Sequence, residues 1–87
     1  MDSKKIEFLE DTIPLMLSAS YEDRFKAEYY QLKIRRNKLK DMLVKWRHGK
    51  LSFTPKCDDS QLAYQIDTMG DYLSILEDRA RIEKIEL

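Results

Sequence analysis

The chain has 87 residues, 43% of them apolar and 37% charged, with 16 basic and 16 acidic side chains and a formal net charge of zero. That length holds one small domain without a deep core, so a conventional enzyme pocket is not expected. A lone cysteine, Cys57, excludes a disulfide framework or a CxxC metal pattern, and no apolar run approaches 18 residues, so a soluble, cytoplasmic protein without a signal peptide or membrane span is expected.

Residues 1–19 read as a short N-terminal helical segment. Ser3 is placed to cap it, and Ile6, Leu9, Ile13, Met16 and Leu17 give it an apolar side over roughly 4–18. Pro14 disfavours helix at Ile13, so a kink or two short turns are expected, the second capped by Asp11. After the break at Ser18-Ala19-Ser20, Ser20 and Asp23 resemble a capping box with the shorter acid and open a first long helix over 20–48. Phe25, Tyr29, Leu32, Arg36, Leu39, Leu43 and Trp46 recur at 4-3 spacing, which keeps them on one stripe of that helix. Lys45, Arg47 and His48 in its last turn complement the helix dipole, and Gly49 tolerates the left-handed end. In the link over 49–59, Pro55 makes Thr54 extended, and Phe53 is expected to cover the open end of the seam. Asp58, Asp59 and Ser60 then cap a second long helix over 60–84, with its stripe at Leu62, Ile66, Met69, Leu73, Leu76 and Ala80. Gly70 interrupts it at a cost of about 1 kcal/mol against alanine, a placement that often marks close approach of a backbone or a ligand. The fold class expected is all-α: a short N-terminal helix, then a long antiparallel two-helix hairpin, in one domain over 1–87.

More apolar residues are present than one seam uses. Met16, Leu17, Ile34, Met42, Val44, Tyr64, Tyr72, Ile75, Ile82 and Ile85 lie off the two stripes, and a homo-oligomer is the expected use for them. The zero net charge hides an asymmetry: residues 21–57 hold 11 Lys/Arg against 4 Asp/Glu, and residues 58–87 hold 3 against 8. Opposite charges flanking the seam can set pairing and register, and the basic helix can also recruit an anion. The basic run Lys33, Arg35, Arg36, Lys38, Lys40 winds around its helix, and with a neutral total, nucleic acid is not an expected partner.

Catalysis is not expected, because the chain lacks a nucleophile–base pair, a Gly-rich phosphate loop and a His-based metal cluster; no catalytic residue, metal or cofactor is assigned. Asp58–Asp59 and Glu77–Asp78 read as helix cap and solvated face, since neighbours on a helix diverge. Candidate ligand groups are Arg36 on the first seam, Lys40 in the basic run, and Tyr29, Tyr72 and Arg79, because Arg and Tyr together can hold a phosphate and stack on a base. Each has an ordinary alternative: Arg36 can snorkel or pair with an acid, and the tyrosines can be half-buried with wet hydroxyls.

The second helix reads Gln65-x3-Met69-x2-Tyr72-x2-Ile75-Leu76-x2-Arg79, preceded by Leu51-x-Phe53-Thr54-Pro55-x-Cys57. This resembles a family of small phage and prophage helical hairpins related to a crAss-like phage protein. It is more distantly similar to the hairpin domain of phage anti-CBASS and anti-Thoeris sponge proteins. The likeness spans about residues 21–87 and is most specific over 51–82. It implies a non-enzymatic anti-defence protein, acting in the host cytoplasm, that sequesters a cyclic oligonucleotide or related nucleotide signal at subunit junctions. Gln65, Met69, Tyr72, Leu76 and Arg79 stand on the shared motif. A protein-binding inhibitor of a host defence nuclease, as in anti-CRISPR proteins, and a small structural phage assembly protein use the same amphipathic helices and stay open.

Overall fold

The computed structural model describes residues 5–87; the expected Ser3 cap lies outside them. A 3-10 turn (Leu9–Thr12) leads into a one-turn helix, α1 (Ile13–Met16), followed by α2 (Tyr21–Arg47) and α3 (Asp59–Glu83), with no strand among the described residues. The molecule is an antiparallel hairpin of α2 and α3, with the N-terminal turns laid along α2.

The two turns expected around Pro14 form, with the proline in the first turn of α1, where its missing N–H breaks no helical bond. Asp11, however, caps the first turn and not the second, its Oδ2 accepting from the backbone N–H groups of Glu7 and Phe8 at 3.0 and 2.9 Å. Thr12 anchors the segment: 1% exposed, its Oγ1 donates to the Leu9 carbonyl at 2.7 Å and accepts from Gln31 Nε2 at 2.9 Å. At the start of α2, Ser20 Oγ accepts from the Asp23 N–H at 3.4 Å, half of the expected capping box. The other half passes through Ser18, whose Oγ accepts from the Ser20 N–H at 3.0 Å and donates to Asp23 Oδ2 at 2.7 Å. Aspartate is too short to reach back directly, so a hydroxyl bridges the gap. Gly49 adopts φ +69° just past α2, and His48 Nδ1 lies 2.8 Å from the Val44 carbonyl, as suits a helix end.

The seam is built from the two stripes but falls into two clusters. Phe25, Tyr29, Leu73, Leu76 and Ala80 bury one end, where Leu76 is 0% exposed; Leu43, Leu62 and Ile66 bury the loop end, flanked by Leu39, Met42, Trp46 and Ala63. Three expectations fail here. Met42, assigned above to the off-seam surplus, packs against the loop-end cluster. Phe53 does not cover the seam and is 56% exposed, because Trp46 already packs against the loop-end cluster. Ile85, assigned above to the off-seam surplus, is buried beside Ala80. Lys84 takes a left-handed φ of 60°, the Ile85 N–H bonds the Ala80 carbonyl at 2.8 Å and the Lys84 N–H bonds that of Arg81 at 3.4 Å, so the chain reverses and tucks Ile85 back onto the helix.

Candidate functional site

The five candidate ligand residues divide between the two flanks of the hairpin. Tyr72 and Arg79 share a flank with Tyr21 and Phe25, and there both tyrosine hydroxyls and the Arg79 guanidinium are hydrogen-bonded within the chain. Arg79 lies over the Phe25 ring at 4.9 Å, bridges to Glu83 at 3.3 Å and donates from Nη2 to the Tyr21 hydroxyl at 2.9 Å. The Tyr21 hydroxyl donates in turn to Glu83 Oε1 at 2.7 Å, and the Tyr72 hydroxyl donates to Glu28. Those carboxylate bonds hold both phenols protonated above the ordinary tyrosine range, since ionising either would set two anions against each other.

On the opposite flank, Tyr29, Lys33, Arg36 and Lys40 follow one another along α2 at helical spacing. Tyr29 is buried, and its hydroxyl donates to Glu77 Oε2 at 2.9 Å, so Glu77 is not the solvated bystander its position implied. Burial first, and then the Glu77 bond, push the Tyr29 phenol up to about 12. Lys33 Nζ stands 5.8 Å from the centre of the Tyr29 ring. Lys40 is exposed.

Arg36 is the centre of this flank. Its Nε donates to the Ile66 carbonyl at 2.9 Å, and its guanidinium lies against Gly70, where an added Cβ would sit 2.9 Å from Nη2. The close approach foreseen at Gly70 is thus made by a side chain of the same chain. With Asp67, Asp71, Leu73, Ser74 and Glu77, these two residues line an open groove of about 470 Å³. One of the five guanidinium N–H donors is spent on Ile66; the four on Nη1 and Nη2 bond no described residue. No carboxylate of the rim reaches ion-pair distance of Arg36. A free planar fork can grip a phosphate or a carboxylate with two parallel bonds, and the rim carboxylates and Ser74 can accept hydroxyl or amino donors. Arg36 was legible from its seam position; the groove was not, because most of its α3 lining (Asp67, Gly70, Asp71, Ser74 and Glu77) lies off the apolar stripe.

A family model described as Sequestin matches residues 19–82, the span of the hairpin and its link. The chain belongs to the Sequestin family. That name suggests a sequestering role, and the expected sequestering hairpin family is met at that level. No curated protein and no solved structure matches this Sequestin chain. No group of three or more His, Cys, Asp or Glu among the described residues could hold a metal ion, and none of the helices is long and apolar enough to cross a membrane.

Proposed function

We propose that the protein sequesters a nucleotide immune signal, a cyclic oligonucleotide or an ADP-ribose-derived molecule, without cleaving it, and so acts as a phage-type anti-defence sponge. The reading rests on Sequestin membership, on the phage-hairpin likeness over residues 51–82, and above all on one observation: the unspent guanidinium fork of Arg36 laid over Gly70. In this reading Arg36 takes the phosphate, Lys40 adds a second cation, Tyr29 holds the groove floor through Glu77, and Tyr72 and Arg79 brace the opposite flank. The signal sits at a junction between two copies.

The test is the melting temperature with and without a panel of cyclic dinucleotides, cyclic trinucleotides and cyclic ADP-ribose isomers. A ligand at 100 times its Kd adds roughly 2.7 kcal/mol, a rise of more than about 10 °C for a domain this small. One panel member should produce that rise and be recovered intact on heating. Arg36→Ala should weaken binding by roughly 10- to 100-fold, the worth of charge-assisted hydrogen bonds, and Tyr72→Phe should leave it unchanged. A second reading, a protein-binding inhibitor, is favoured by Tyr64, Ile75 and Ile82, which are 69%, 57% and 68% exposed on α3. An unmoved melting temperature across the whole panel, with one large host protein captured, would select it.

A further inference from the structure

The groove is electrically wrong for a nucleotide when one copy stands alone. Arg36 supplies one positive charge, and Asp67, Asp71 and Glu77 supply three negative ones. Lys33 and Lys40 flank the groove on the α2 side, and neither forms an ion pair with a described residue; the same is true of Asp67 and Asp71 on the α3 side. The groove face therefore carries a basic row on one helix and an acidic row on the other, each short of partners. Over their full lengths, α2 holds 9 Lys/Arg against 4 Asp/Glu and α3 holds 2 against 6.

We propose that a second copy covers this face, in one particular arrangement. Two hairpins laid face to face can be related by a two-fold axis across the helices or along them. An axis across the helices sets α2 on the partner's α2, lysine row on lysine row. An axis along the helices sets α2 on the partner's α3, and complementary charge selects that one. The heights agree. Within the hairpin Tyr29 meets Glu77 and Arg36 meets Gly70, so Lys33 stands within a turn of Asp71 and Lys40 within a turn of Asp67, and a rotation along the axis keeps those heights. Each Lys33 then meets the partner's Asp71, each Lys40 meets the partner's Asp67, and the two Arg36 grooves close into one chamber. The partner's lysines offset the rim acids, which leaves the guanidinium forks free for phosphate. This inference deepens the sequestering reading, because the site is incomplete in one copy.

The experiment is a charge swap read by light scattering and sedimentation, with helicity checked by circular dichroism. The wild-type chain should have twice the 10.4 kDa mass of one copy and should dissociate more readily as salt rises. Lys33→Glu with Lys40→Glu, and separately Asp67→Lys with Asp71→Lys, should each yield folded monomers. Mixed one to one, the two variants should form a heterodimer, since both of its contacts regain opposite signs. If either variant loses its helicity, the neutral pair Lys33→Gln with Lys40→Gln replaces it and should weaken the dimer at least tenfold. A monomeric wild type, variants that stay dimeric, or folded monomers that fail to pair on mixing would each overturn the arrangement. The melting shift of the wild type with the nucleotide panel is read separately, so sequestration can stand while this interface falls.

Discussion

At the scale of single residues, Gly70 and Arg36 work as a pair. A glycine inside a helix costs about 1 kcal/mol against alanine, and here the missing side chain is the space that Arg36 fills. Gly70→Ala would regain that helix propensity but push the guanidinium off Ile66, giving up a hydrogen bond worth about as much. The net change in stability should therefore stay within about 1 kcal/mol. Nucleotide binding should fall at least tenfold, because the fork no longer lies in the groove. Urea denaturation and the ligand-induced melting shift measure the two effects; a variant that is much less stable and yet binds normally would contradict the assignment. This pairing also marks a limit of reading the chain. Gly70 signals a close approach in the sequence, but which atom approaches depends on the register of two helices, and spacing within one helix does not contain it.

At the scale of elements, α2 and α3 are held by more than the apolar stripe. Tyr21 to Glu83, Tyr72 to Glu28 and Tyr29 to Glu77 all cross the seam, on both of its flanks. Tyr29 keeps its proton up to about pH 12, whereas an unfolded tyrosine releases it near 10. Between those values the folded state binds more protons than the unfolded one, so stability falls as pH rises through that window and is complete below it. For Tyr29 the loss is on the order of 2 kcal/mol. Tyr29→Phe should flatten the decline in melting temperature between pH 10 and 12, and ultraviolet titration should show one fewer late-ionising phenol. An equally steep decline in the variant would place the effect elsewhere. Both long helices were legible because 4-3 spacing survives in full over each. The tyrosine–glutamate bonds were not, since each joins residues more than 40 positions apart. Ile85 was missed for a related reason: a chain reversal after Lys84 takes it off the helical period.

At the scale of the whole molecule, the core is divided. Arg36 sits on the seam between the Phe25–Leu76 cluster and the smaller Leu43–Leu62–Ile66 cluster. Local opening is cheapest where least apolar surface is buried. Amide hydrogens over 39–47 and 59–66 should therefore exchange faster than those over 24–32 and 73–80, measurable by exchange mass spectrometry. Ligand binding should slow the loop-end set most, and uniform protection along both helices would argue for one undivided core. The N-terminal turns contribute differently. They lie outside the Sequestin match, yet they bury Thr12 against α2 and leave Ala27 only 3% exposed. Their apolar positions were visible in the sequence; their seat along α2, with Leu9 reaching the edge of the seam beside Leu39 and Met69, was not.

The guanidinium resting on a glycine also bears on descent. A substitution at position 70 that adds any side chain evicts Arg36, and loss of Arg36 removes the reason to keep a glycine there. Neither change should be neutral for binding while the other residue stands, so the two positions should change together. A lineage that abandons one should soon abandon both, and would carry alanine or another strong helix former at 70 beside a shorter or apolar residue at 36.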